Sequence, residues 1–116
     1  MLISFAECKK KNSQISEDKV VGLWISTENQ YLPSFEKMCY VTILFEKCGT
    51  YINKVLSVED NEQLKSYWGT WVIEKGEILC YYKKLGYNQF ITAPGPKYVY
   101  DGKYIKNGIW TYEKQN

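Results

Sequence analysis

The chain contains no histidine and no arginine. Without histidine there is no Ser-His-Asp triad, no Cys-His pair and no histidine-bearing zinc site, which removes the commonest routes to hydrolytic catalysis. Without arginine, all 15 basic residues are lysines, and the planar fork that recognises guanine or phosphate through two parallel hydrogen bonds is missing. A net charge of +2 offers no field to replace it. Nucleic acid is therefore not an expected partner. Carboxylates do not cluster: Asp18, Asp60 and Asp101 fall in loop or turn contexts, and Glu59-Asp60 with Glu62 reads as a solvated acidic loop rather than a metal cage. No catalytic residue, metal or cofactor is expected, and the protein reads as a non-enzyme. No apolar run approaches the ~20 residues of a membrane-spanning helix, and sustained helical periodicity is absent throughout.

What the chain has in quantity is aromatic residues, 16% of the total, with 11 Tyr and 4 Trp. Aromatics favour strands and binding surfaces alike. Three Gly-x-Trp triplets, Gly22-Leu23-Trp24, Gly69-Thr70-Trp71 and Gly108-Ile109-Trp110, each lie in a run of β-branched and aromatic residues. The glycine shares a strand face with the indole and leaves room for it or for a neighbouring strand.

Alternation and turn signals order the rest. Val20–Ser26 reads as the first strand and Thr27–Met38 as a loop or bent edge segment. Cys39–Glu46 alternates cleanly and turns through Lys47-Cys48-Gly49 into Thr50–Leu56, glycine taking the positive φ of a tight turn. Ser57–Gln63 is acidic, with room for one helical turn. Leu64–Glu74 and Glu77–Lys84 flank the Lys75-Gly76 turn. Gly86–Pro96 reads as a loop, because Ala93-Pro94-Gly95-Pro96 lacks the N–H groups a ladder needs. Asp101-Gly102 and Asn107-Gly108 then mark two hairpins. The expected fold is all-β, an antiparallel meander of about eight short strands forming a small barrel or two-sheet sandwich.

At 116 residues the chain is long enough for one core. Residues 1–19 read as a polar N-terminal arm and residues 20–116 as a single β domain. Leu2-Ile3-Ser4-Phe5-Ala6 before Glu7 looks like the remnant of an export signal, with Ser4 and Ala6 as a small-x-small site. A lipid anchor at Cys8 is not expected, since Glu7 stands where a small residue belongs. The expected location is periplasmic or secreted, with the cytoplasm as the alternative. In an oxidising compartment Cys8, Cys39, Cys48 and Cys80 are disulfide candidates. Cys48, in a turn, is the foremost of them; Cys8 on the arm could reach it, while the inward-facing Cys39 and Cys80 could pair with each other.

Gly22-Leu23-Trp24, then Thr42-Ile43-Leu44-Phe45 running into Gly49-Thr50-Tyr51, then Gly69-Thr70-Trp71 leading through Lys75-Gly76, resembles the pattern of small bacterial lipocalin-like, or calycin-type, domains. The resemblance spans roughly residues 20–82. It departs from the pattern in having Cys48 where Asp or Asn commonly precedes the turn glycine, and in lacking the basic residue that often closes the barrel bottom. It implies an exported, non-catalytic barrel of a class whose members bind small apolar molecules or proteins.

Two functions follow. The first is a protein-binding inhibitor or immunity-type protein, since an eight-stranded barrel is narrow enough for its own side chains to fill, leaving the surface to act. Its contacts would be Tyr31, Phe35, Tyr87 and Phe90 in the loops and Trp68 on a strand face. The second is a carrier of a small apolar ligand held by Trp24, Tyr67 and Trp71. An interior cavity above ~300 Å³ favours the carrier.

Overall fold

The computed structural model describes residues 16–85 and 90–115. A four-residue helix, α1 (Glu17–Val20), precedes nine strands: β1 (Gly22–Ser26), β2 (Gln30–Leu32), β3 (Lys37–Glu46), β4 (Thr50–Ser57), β5 (Gln63–Glu74), β6 (Glu77–Leu85), β7 (Phe90–Tyr100), β8 (Tyr104–Asn107) and β9 (Trp110–Lys114). All pairings are antiparallel, and from β3 to β9 each strand pairs with its sequence neighbour. β1 pairs with β9 on one edge and β3 on the other, which closes an eight-stranded barrel; β2 is an extra strand added to β3. The all-β expectation holds, with the barrel form realised. No helix among the described residues is long and apolar enough to cross a membrane.

β1 and β2 are one interrupted strand. Ile25 opposes Thr42 of β3, whereas Gln30 opposes Cys39, so the register steps by two across Thr27–Asn29. Where the ladder breaks, the buried Ser26 hydroxyl accepts the Val41 N–H at 3.0 Å. The side chain thus satisfies a donor that would be costly to bury unpaired.

The end of the barrel bearing the β3–β4 turn is sealed. α1 lies across it, with Val20 fully buried, and Trp24 Nε1 donates to the Val20 carbonyl at 2.8 Å. Trp71 Nε1 donates to the Glu46 carbonyl at 3.0 Å. Phe45 packs edge-on to Trp71 and Tyr98, with ring centroids 5.3 and 6.0 Å away. A basic residue closes this end, contrary to the sequence reading: Lys114 Nζ on β9 donates to the carbonyls of Asp18 and Lys19 at 3.2 and 3.4 Å. Its distance in sequence from Gly22-Leu23-Trp24 hid it. Gly22 makes the contact possible, for a Cβ there would stand 2.7 Å from Lys114 Cε.

Two corrections concern strands and turns. Residues 90–96 are not loop but the first half of β7. Tyr81 opposes Pro94 and Leu79 opposes Lys97, so Gly95-Pro96 bulges opposite Cys80. A bulge relaxes the ladder where the prolines cannot donate to it. In the last two hairpins the glycine, not the Asx-Gly pair, is central. Asn107 opposes Trp110 in the ladder, and Gly108 (φ +59°) takes the first turn position with Ile109 second. Asp101 likewise stands before Gly102 (φ +102°), and its carboxylate accepts the N–H groups of Lys103 and Tyr104.

The cysteines separate. Cys39 and Cys80 are buried free thiols, so the pairing allowed between them does not form. Each behaves as a small core hydrophobe. Burial pushes the Cys80 thiol up to about 12 and raises Cys39 as well, Lys37 opposing the shift. Cys48 occupies the exposed left-handed turn position, φ +69°, before Gly49; Cys8 lies outside the described residues.

Two outcomes are expected. Gly69, where a Cβ would overlap the carbonyl oxygen of Tyr81, should tolerate no side chain. Gly69→Ala should cost about 3 kcal/mol or more in denaturant unfolding, against about 1 kcal/mol for Gly102→Ala, which meets strained φ but open space. Stability should also fall in alkali. Burial raises the hydroxyls of Tyr51, Tyr98 and Tyr112 and the thiols of Cys39 and Cys80 above their ordinary values of 10.0 and 9.0. The folded state therefore holds protons that the unfolded state releases, and the stabilisation is complete below about pH 9 and lost above it. Urea midpoints from pH 7 to 11 check this; a flat profile would contradict it.

Candidate ligand-binding site

The opposite end of the barrel is open. Inward positions alternate along each strand, but toward this end the largest side chains give way to Val41 on β3 and Asn53 and Val55 on β4. Across from them stand Tyr67, Tyr82, Tyr98, Trp110 and Tyr112, with Pro96 and Asn107 at the rim. They line a half-open cavity, broadly exposed to solvent, of about 340 Å³. Tyr98, Tyr112 and Val41 are buried; Val55, Tyr82 and Trp110 are half-buried and packed on the same core.

The rings support one another. Tyr67 meets Tyr82 edge-on at 5.6 Å, Tyr98 meets Tyr112 edge-on at 5.7 Å, and Trp110 stacks on Tyr112 at 6.5 Å. Such contacts fix the rings by more than area burial alone. The two amides are anchored as well: Asn53 Nδ2 donates to the Thr42 carbonyl at 3.4 Å and Asn107 Nδ2 to the Lys97 carbonyl at 2.9 Å. Each side-chain carbonyl oxygen is left as an acceptor. Among the described residues, no charged side chain lines the cavity.

Of the residues singled out from sequence as ligand contacts, only Tyr67 lines the cavity. Trp24 and Trp71 lie at the sealed end, their indole N–H groups committed to backbone carbonyls. The loop and surface candidates lie elsewhere. Tyr31 on β2 is 56% exposed and Trp68 on the outer face of β5 is 49% exposed; Phe35 is half-buried in the β2–β3 turn. Tyr87 and the side chain of Phe90 lie outside the described residues, although Phe90 belongs to β7. Sequence reasoning missed Val41, Asn53, Val55, Tyr82, Tyr98, Asn107, Trp110 and Tyr112. The usable signal was the alternation Tyr51-Asn53-Val55, which carries an amide and then a small side chain into the lumen toward one end.

Comparison with protein-family models, curated proteins and solved structures found no match.

The two groups of aromatics should separate on mutation. Trp71→Ala removes a buried indole and should cost about 3–5 kcal/mol, whereas Tyr67→Ala, at the half-open wall, should cost about 1 kcal/mol. Chemical denaturation of both variants checks the division between the sealed and open ends.

Proposed function

We propose that the protein is a non-catalytic, lipocalin-like binding protein that takes a compact, neutral ligand into the open end of its barrel. One observation carries this reading: a cavity of about 340 Å³, walled by aromatic rings and anchored amides, in a barrel sealed at its other end. Eight strands leave room for side chains or for one small ligand, and this volume falls at the lower end of ordinary ligand pockets. Neutrality follows from the lining. A charge carried inside would be desolvated with no counter-charge to meet it. The rings offer faces to a planar or aliphatic body, and the oxygens of Asn53 and Asn107 offer acceptors to a hydroxyl or amide N–H.

An environment-sensitive naphthalene-sulfonamide dye lacking charge, titrated by fluorescence, tests the cavity. Saturable one-to-one binding is expected, and Val55→Trp should weaken it at least about ten-fold by filling the lumen without unfolding the domain. Binding unchanged by that substitution would put the ligand elsewhere.

A second reading, an inhibitor or immunity-type protein acting on a protein partner, is favoured by the exposure of Tyr31. Both readings suit an exported protein. Cys48 is exposed in its turn, and we propose that Cys8 is its disulfide partner. Thiol titration of denatured, unreduced protein from an oxidising compartment should then find two free thiols, those of Cys39 and Cys80; four would reject the pairing.

A further inference from the structure

Beside the open end, the β2–β3 and β4–β5 connections form a projecting tip. Tyr31 opposes Met38 across the β2–β3 ladder, and the Val58 N–H donates to the Met38 carbonyl at 2.9 Å, which brings three apolar side chains from two connections together. They are 56%, 46% and 39% exposed for Tyr31, Met38 and Val58, and they border a surface hollow of about 370 Å³. Clustered exposed apolar groups of this kind mark interaction sites more often than isolated ones do.

Charge distinguishes what can cover them. Residues 27–38 and 57–63 carry Glu28, Glu36, Glu59, Asp60 and Glu62, all exposed, against the single cation Lys37. That cation is already committed to Glu62 at 3.4 Å. The tip is thus net −4 on a chain of net +2. The Glu62 N–H, donating to Asp60 Oδ1 at 3.1 Å, holds the Asp60 carboxyl below the ordinary range, so it stays ionised. Two such tips repel each other, which disfavours a symmetric dimer through this face.

The geometry points to a docking surface for a cationic partner: we infer that the tip receives a lysine- or arginine-bearing segment of another protein, with Tyr31 and Met38 as the apolar anchor and Glu36 and Glu59 as the flanking charges. The inference rests on the protein-partner reading above and specifies its surface and the partner's chemistry. Complementary charge steers such an encounter and fixes its register, while the central rings supply the tightness.

The test uses a ten-residue peptide alternating lysine and leucine, with its glutamate–leucine counterpart as control, titrated into the isotopically labelled full chain and followed by amide chemical shifts. The lysine peptide should shift residues 28–38 and 57–62, weaken about ten-fold between low and physiological salt, and lose about ten-fold or more in affinity with Tyr31→Ala or with the pair Glu36→Lys and Glu59→Lys. Both variants change exposed groups, and an unchanged melting temperature shows that the fold is intact. Lysine-peptide shifts confined to other strand faces would overturn the tip while leaving a protein partner in place. No binding by either peptide would overturn the tip and count against the protein-partner reading with it. Preference for the glutamate peptide would overturn the charge argument. Self-association of the chain alone, relieved by the same charge reversals, would replace the separate partner with a second copy.

Discussion

The barrel depends on how its sealed end is made. Lys114, from the last strand, crosses Gly22, from the first, to reach the carbonyls of Asp18 and Lys19. Beneath this clasp Trp24 donates to Val20, the last residue of α1. The clasp thus joins the strand pair that closes the cylinder, the helix that covers it and the indole that fills it. Hydrogen bonds from a charged group contribute roughly 1.5–3 kcal/mol each when partly shielded, and Lys114 is only half-buried, so its role is one of position more than of strength. A side chain at residue 22 would be strained at φ +138° and would push aside the end of the lysine.

Sealing one end with large rings decides what the other end can be. Trp24, Phe45, Tyr51 and Trp71 are all buried, and they gather toward the helix-covered half of the lumen. Tyr51 lies opposite Gly69, the position where β5 and β6 approach too closely for any Cβ. Its ring covers the surface that a glycine leaves bare in a strand. Its hydroxyl, buried without a hydrogen-bonding partner, sits 3.3 Å from where a Cβ of Gly95 would be, so the glycine in the β7 bulge leaves room for the phenol. Volume used there is not available at the open end, where valines and amides leave the cavity. The site is therefore a consequence of uneven filling.

Strand order was legible because it rests on short-range chemistry. Alternation in Cys39–Glu46, the Lys75-Gly76 turn and the hairpin glycines each specify structure within a few residues. What escaped was set by contacts between distant strands. Pro94 and Pro96 were read as ending the ladder, and only the opposing Cys80 reveals that it relaxes at that point and continues. Lys114 resembles any terminal lysine until β9 is laid beside β1. Trp24 and Trp71 were read rightly as inward, yet the end of the lumen they occupy depends on strand direction, which alternation cannot give. The cavity lining was invisible for the same reason, since it draws single residues from most of the barrel's strands.

The open end therefore carries two unlike surfaces side by side. The cavity is uncharged and aromatic, suited to a ligand that leaves water readily. The neighbouring tip is acidic around a small apolar centre, suited to a partner that keeps its charge near water. These demands are physically incompatible in one pocket, because a carboxylate at the cavity wall would be desolvated and a ring cluster alone on the tip would gather any apolar surface indiscriminately. Their separation by one turn of chain lets each be tuned alone. β3 and β4 run from the tip into the cavity, with Met38 and the adjoining Val58 near one end and Val41 and Val55 further along the same strands. Any influence of a tip partner on cavity affinity must then be matched by an equal influence of the cavity ligand on the partner.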